Sequence, residues 1–325
     1  MNAARADLVA SELVAVVVAV TAGGPQVLTV GDPAGVPRLP SGPLRADHRS
    51  LQTSLRMWVE RQTGVELGYV EQLYTFADRE RVGPHHHLLS VSYLGLTRVD
   101  DAAAAHAGRR RPGFAWRSWS EFVPWEDRRD PQSCALAEEL RERLTAWAAE
   151  SPAGEVRADR MARVEGTFGD PWVSELTLQR YQLLFEAGLV AEAGAGPRRE
   201  GHPASALGAV DDARTGMRML HDHRRILATG ISRLRAKIQY RPVVFELVPP
   251  EFTLGQLQTT VEDIAGTDVH TQNFRRLVQQ QHLVEPTGGR ESATGGRPAR
   301  LYRFRREVEL ERYAAGTKLP LSRGM

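Results

Sequence analysis

Apolar residues run almost unbroken from Leu13 to Val20, too few to span a bilayer but enough for a strand covered on both faces. Across the turn Ala22-Gly23-Gly24-Pro25 this strand is expected to form a hairpin with residues 26–30. Ser50 caps a predicted helix that reaches Thr63 and stops at Gly64, and strands are expected at 65–76 and 87–97. The resulting β-β-α-β-β order predicts an α/β or α+β sandwich. Further on, 101–113 reads as a loop and 117–125 as a short strand or turn. Leu136, Leu140, Leu144 and Trp147 mark an amphipathic helix over 134–149. Between 150 and 217 the pattern yields one clear helix, around 176–187, and a polar Gly/Pro-rich stretch at 192–206 expected to be mobile.

The strongest local signal lies near the end of the chain. Thr253-Leu254-Gly255-Gln256 is a capping box opening a helix with Leu254, Leu257, Val261 and Ile264 along one stripe, and Gly266 stops it. Asp268 is expected to cap a second helix with Phe274, Leu277, Val278 and Gln281 on one side and Gln272, Arg275, Arg276 and Gln279 on the other. Two strands around a Gly-rich tip complete a winged helix-turn-helix. Arginine pairs with guanine, and glutamine or asparagine with adenine, so the polar side of the second helix is the expected reader of a major groove. The expected DNA-facing set is Thr253, Gln256, Gln272, Asn273, Arg275, Arg276 and Gln279, with Arg290, Arg297 and Arg300 on the wing tracking phosphates.

Charge placement sharpens this picture. Residues 270–306 hold eight Arg and no Lys against two Glu, in a chain whose formal net charge is only +2. A positive excess gathered in one segment is the footprint of a polyanion site, here double-stranded DNA. A helix over 214–238 carrying Arg224, Arg225, Arg233, Arg235 and Lys237 is expected to link this module to the rest and to touch the DNA backbone, with His221, Asp222 and His223 on its surface.

Composition excludes several classes. A hydrophobic fraction of 42% with 25% charged residues is ordinary for a globular chain. Cys134, the single cysteine, rules out an internal disulfide and a Cys-rich zinc site and suits a reducing cytoplasm; neither a basic leader nor a cleavage site is apparent. His85-His86-His87 alternates between strand faces and does not converge on one ion.

Leu39-Pro40-Ser41-Gly42, Ser50-Leu51 and the run from Glu60 to Val65 resemble a degenerate Nudix box, and Val70 to Phe76 and Val91 to Leu94 look like the strands that follow one. With Pro242 to Leu247 and Asn273-Phe274-Arg275-Arg276, the chain resembles the Nudix-related transcriptional regulators of NAD metabolism, most nearly the longer alphaproteobacterial NAD regulators. The likeness covers residues 10–98 and 219–306. It implies an α+β protein in which residues 1–215 form a degenerate Nudix-like α/β/α sandwich with a helical insertion at about 101–215. A linker helix over 216–239 and a C-terminal winged helix-turn-helix over 240–325 would follow. It also implies a cytoplasmic homodimeric repressor on a palindromic operator, sensing an adenine nucleotide such as ADP-ribose, NAD or ATP, with no cofactor and no membrane partner.

Hydrolysis by a Nudix fold needs helix carboxylates that hold divalent metal on a pyrophosphate. With Gly64 aligned to the terminal glycine of the box, those positions hold Trp58, Arg61 and Gln62, and Met57 stands where arginine belongs; Glu60 sits at a variable position. No catalytic residue and no metal are therefore expected. The expected effector contacts are Arg38, Arg45, Phe76, Arg79 and Arg81, since adenine stacks on an aromatic ring while guanidiniums take phosphates. The alternative is an active hydrolase of nucleoside-diphosphate derivatives carrying an accessory nucleic-acid module.

Overall fold

The apolar run near the start becomes the centre of a seven-stranded sheet. Strand β1 (Val9–Thr21) pairs antiparallel with β2 (Gly24–Gly31) and parallel with β6 (His87–Leu96). Outside them β3 (Pro37–Arg38) adds to β2 and β5 (Tyr69–Phe76) to β6, while β4 (Ser41–Pro43) pairs with β1 and β7 (Phe114–Ser118) with β2. The computed structural model describes residues 9–31, 35–45, 50–77, 87–99, 113–194, 212–291 and 298–305.

Period-two alternation sends the side chains of β1 into two cores. Leu13, Ala15 and Val17 pack with Leu55 and Val59 of α1 (Leu51–Thr63); Val14, Val16 and Val18 join the core around α5 (His223–Ile238) on the other face. All six are fully buried, as a strand between two helical layers requires. Helix α5 lies very close to the sheet, since a Cβ at Gly230 would come 2.7 Å from Val16 Cγ1. The caps of α1 fall where the sequence places them: Ser50 Oγ accepts from the Thr53 N–H, and Gly64 takes φ 74 and donates its N–H to Glu60 O.

The insertion is helical. It comprises α2 (Pro131–Ala149), α3 (Glu155–Phe168) and α4 (Thr177–Glu186). Helix α3 is new relative to the sequence pattern, because only Val164 and Phe168 are buried on it and its N-cap Gly154 offers no side-chain cap. The loop at 101–112, His85, His86 and residues 195–211, which include 195–206 of the Gly/Pro-rich stretch, lie outside the described residues.

The predicted basic linker helix requires correction. The long helix begins at His223; Gly216 (φ 82) and His221 (φ 49) interrupt regular structure before it. Four of its five cations point inward: Arg224, Arg225, Arg235 and Lys237 are buried, and Arg233 alone is exposed. A helix wedged between sheet, insertion and winged helix keeps these four cations for partners inside the protein and leaves Arg233 as its one exposed cation. His223, expected on the surface, is also buried.

The C-terminal module is α6 (Leu254–Ala265), α7 (Thr271–Gln280) and the hairpin β8 (Val284–Glu291) with β9 (Ala299–Phe304). Its core of Leu257, Val261, Ile264, Phe274, Val278 and Leu283 is continuous with that of the sheet domain, and Phe245 stacks on Phe304 at 4.2 Å between centroids. No helix among the described residues is long and apolar enough to cross a membrane.

Candidate nucleic-acid interface and effector cluster

Helix α7 separates its faces cleanly. Phe274 and Val278 are buried, whereas Gln272, Asn273, Arg275, Arg276 and Gln279 are exposed together. His270, not Asp268, is the N-cap: its ring accepts from the Asn273 N–H, and the turn after Gly266 is longer than the spacing suggested. That turn is fixed by side chains sequence reasoning passed over. Gln258 Nε2 donates to Val269 O at 3.1 Å and Thr271 Oγ1 at 3.0 Å, and Glu262 Oε1 accepts from the Val269 N–H at 3.0 Å. Polar residues on the inner side of an otherwise apolar stripe were the available signal.

The capping box of α6 forms as predicted, with a consequence for two candidate contacts. Thr253 is buried and its Oγ1 accepts from the Gln256 N–H at 3.1 Å, so it holds the helix end and is not presented to a ligand. Gln256 is exposed, but its Oε1 accepts from the Thr253 N–H at 2.7 Å, leaving only its amide nitrogen facing outward, toward Glu291.

On the wing, Glu285 lies opposite Arg303 and pairs with it at 2.6 Å, while Arg290 lies opposite Arg300. Like charges directly opposed on adjacent strands destabilise a hairpin unless an anion lies across them. Both are exposed beside the tip; Arg297 lies outside the described residues.

In the sheet domain, unsatisfied polar atoms gather around Ser41 and Gly42. Trp58 of α1 lies flat against Gly42, where a Cβ would come 2.3 Å from the indole. Gln62 Nε2 donates to Ser41 O at 2.6 Å, and Arg38 Nη1 donates to Ser41 Oγ at 3.4 Å. Arg38 Nε, Trp58 Nε1 and Gln62 Oε1 are each buried without a hydrogen-bond partner among the described residues. Each such atom costs about 1–3 kcal/mol, which calls for a ligand or ordered water in compensation. Arg61 sits 5.5 Å from the Trp58 ring centre. The α1 face where a hydrolase carries its carboxylates therefore presents an indole, a guanidinium and an amide.

Next to it, Glu12 accepts from Ser90 Oγ at 2.7 Å, and burial pushes its carboxyl up against the opposing pull of Ser90, His221 and Arg38. His223 Nδ1 accepts from the Leu39 N–H at 2.9 Å. Burial first, then the nearby His221 and Arg38, depress this imidazole to about 3. Its approach to Glu12 at 3.9 Å is thus that of a neutral ring and not an ion pair.

Of the expected effector residues, the structure brings Arg38 into this cluster. Phe76 is 7% exposed with the Arg225 guanidinium 4.6 Å from its ring centre, so one ring face is covered from within. Arg45 is exposed; Arg79 and Arg81 lie outside the described residues. Trp58 and Gln62, read from the sequence only as lost catalytic positions, join Arg38 in this cluster of unpartnered polar atoms.

A Nudix-like sheet domain with a helical insertion, ending in a winged helix, is the class of fold this chain adopts. Residues 244–304 match the NrtR DNA-binding winged helix domain. The ADPR responsive transcriptional repressor NtrR of Acinetobacter baylyi is 40% identical over 83 residues, which is 26% of this chain. The match spans only 33% of that relative's own length. Among solved structures, Shewanella oneidensis NrtR complexed with a 27mer DNA superposes with TM-score 0.56 at 18% identity, over 94% of this chain and 99% of that one. A MutT/nudix family protein from Enterococcus faecalis superposes with TM-score 0.50 at 14% identity, over 94% of this chain and 90% of that one. At these identities the structures establish the fold, and the winged helix carries the sequence relationship.

Proposed function

We propose that the protein is a cytoplasmic transcriptional repressor of NAD biosynthesis or salvage genes, whose affinity for a palindromic operator is set by ADP-ribose bound in a catalytically silent Nudix-like domain. The observation that carries DNA binding is the exposed face of α7, where Gln272, Asn273, Arg275, Arg276 and Gln279 stand together with no acidic residue. Arg290 and Arg300 supply a cationic wing beside it. A homodimer would set two such helices about 34 Å apart on one face of B-DNA.

Support for the sensor comes from the orphaned donors of Arg38 and Trp58, which suit a phosphate oxygen, and from the responsiveness to ADPR named for the Acinetobacter relative. Arg45, Arg79 and Arg81 would extend this contact along the ligand. A guanidinium neutralises pyrophosphate charge as a metal does, but it generates no hydroxide nucleophile. Calorimetry should therefore show ADP-ribose binding that is unchanged by chelator. Arg38→Ala should weaken it by about 1.5–3 kcal/mol, the value of a hydrogen bond to a charged group. Binding that survives Arg38→Ala undiminished would move the ligand elsewhere.

Catalytic silence follows from Trp58, Arg61 and Gln62 on the helix face that would need carboxylates. Incubation with ADP-ribose and Mg²⁺ or Mn²⁺ should release product at the background rate. Turnover on the order of 1 s⁻¹, ordinary for an enzyme, would make the protein a hydrolase with an accessory nucleic-acid module.

A further inference from the structure

The last carbonyls of a helix have no partner inside it. At the end of α6 two carbonyls, those of Ile264 and the cap residue Gly266, are satisfied from outside the winged helix. Ile264 O accepts from Arg235 Nε of α5 at 2.8 Å, and Gly266 O accepts from the Arg128 N–H at 2.7 Å. Beside them Arg129 Nη1 donates to Asp263 Oδ1 at 2.9 Å. The seam is tight, since a Cβ at Gly266 would come 2.5 Å from Glu126 O. Behind it the buried Glu126 carboxylate accepts from both Arg180 and Arg235, and Arg235 also donates to Thr177 Oγ1.

The opposite end of α5 lies against the effector cluster. His223 holds the Leu39 N–H next to Arg38, and Arg225 covers Phe76. His223 and Arg235 are separated by about 18 Å of helix, at 1.5 Å per residue. Beyond the seam, the Gln258 amide ties α6 to the first residue of α7. A displacement of the end of α6 is therefore carried directly into the recognition helix.

We propose, resting on the function proposed above, that α5 and the turn at 126–129 form the mechanical link through which a ligand at the Arg38 cluster repositions α7, by loosening or tightening the seam at 263–266. A buried helix fixed at both ends moves as a body, and packed interfaces shift between discrete arrangements instead of deforming smoothly. The seam is the place where such a shift becomes a change of hydrogen-bond partners. Arg129 and Asp263 are its outermost members, at 23% and 14% side-chain exposure, and belong to neither binding surface.

The test compares full-length wild type, Arg129→Ala and Asp263→Asn. Each is titrated with ADP-ribose, with a duplex that the wild type selects from a random-sequence pool, and with both together. Wild type should show a coupling factor of roughly fivefold or more, while both variants keep each separate affinity within about twofold and bring the factor to within about twofold of unity. Hydrogen exchange on the wild type supplies a reading that needs no variant: ADP-ribose alone should alter protection of amides 263–271. Wild-type coupling retained in both variants, or unchanged exchange in that segment when ADP-ribose binds, overturns the link. A wild type that binds both ligands without coupling overturns the proposed function itself.

Discussion

Glu126→Ala is expected to destabilise the protein by about 3–5 kcal/mol, because it strips the shared carboxylate from two buried guanidiniums. Arg180 and Arg235 are both fully buried, and each is bonded to Glu126. Burial alone would raise the Glu126 carboxyl, but the two guanidiniums overcome burial and hold it below the ordinary range. A depressed carboxyl stabilises the fold at pH values above its unfolded value, about 4.3 for glutamate, and that stability is lost as pH falls below it. Urea denaturation should therefore show the wild type losing stability through the acid range, and Glu126→Ala, already weakened at pH 7, losing less over the same interval. A variant within about 1 kcal/mol of wild type at neutral pH would mean that these arginines find other partners.

Arg276→Ala is expected to lower affinity for the selected duplex by about 1–3 kcal/mol and to relax preference at one base position, as the loss of a bidentate base contact does. Gln272→Ala should act likewise at a neighbouring position. Arg300→Ala addresses a different contact. Opposed to Arg290 across the wing hairpin, it should weaken all sequences nearly alike and flatten the salt dependence by about one unit. Binding measured on the selected duplex and on a scrambled one, at several salt concentrations, separates the two kinds of contact. An Arg276→Ala protein with unchanged affinity and preference would exclude α7 as the reading helix.

The C-terminal winged helix was legible from the sequence because its signals are local. A capping box, an αL glycine after the last turn and an amphipathic stripe each act over a few residues, and Thr253, Gly266, Phe274 and Val278 take up those roles. The cap and stop of α1 at Ser50 and Gly64 were readable for the same reason. Helix α3 was not, since two buried residues over four turns leave too narrow a stripe, and a glycine N-cap gives no start signal.

The sequence by itself determined the buried strand β1, the helix α1 with its cap and stop, the winged helix and the absence of carboxylates from the α1 face. Each follows from periodicity, capping or residue type, which act along the chain. The tertiary structure alone decided where the charges of α5 go. A run of arginines on a helix is ordinarily solvated, and nothing near Arg235 in sequence announces Glu126, which lies 109 residues away. Burying such a cation is tolerable only when a carboxylate and carbonyls from distant elements reach it together. The same holds for His223, which burial and the Leu39 N–H just after β3 make a neutral acceptor, and for Trp58 and Gln62, which became candidate ligand contacts only when the fold closed them over Ser41 and Gly42.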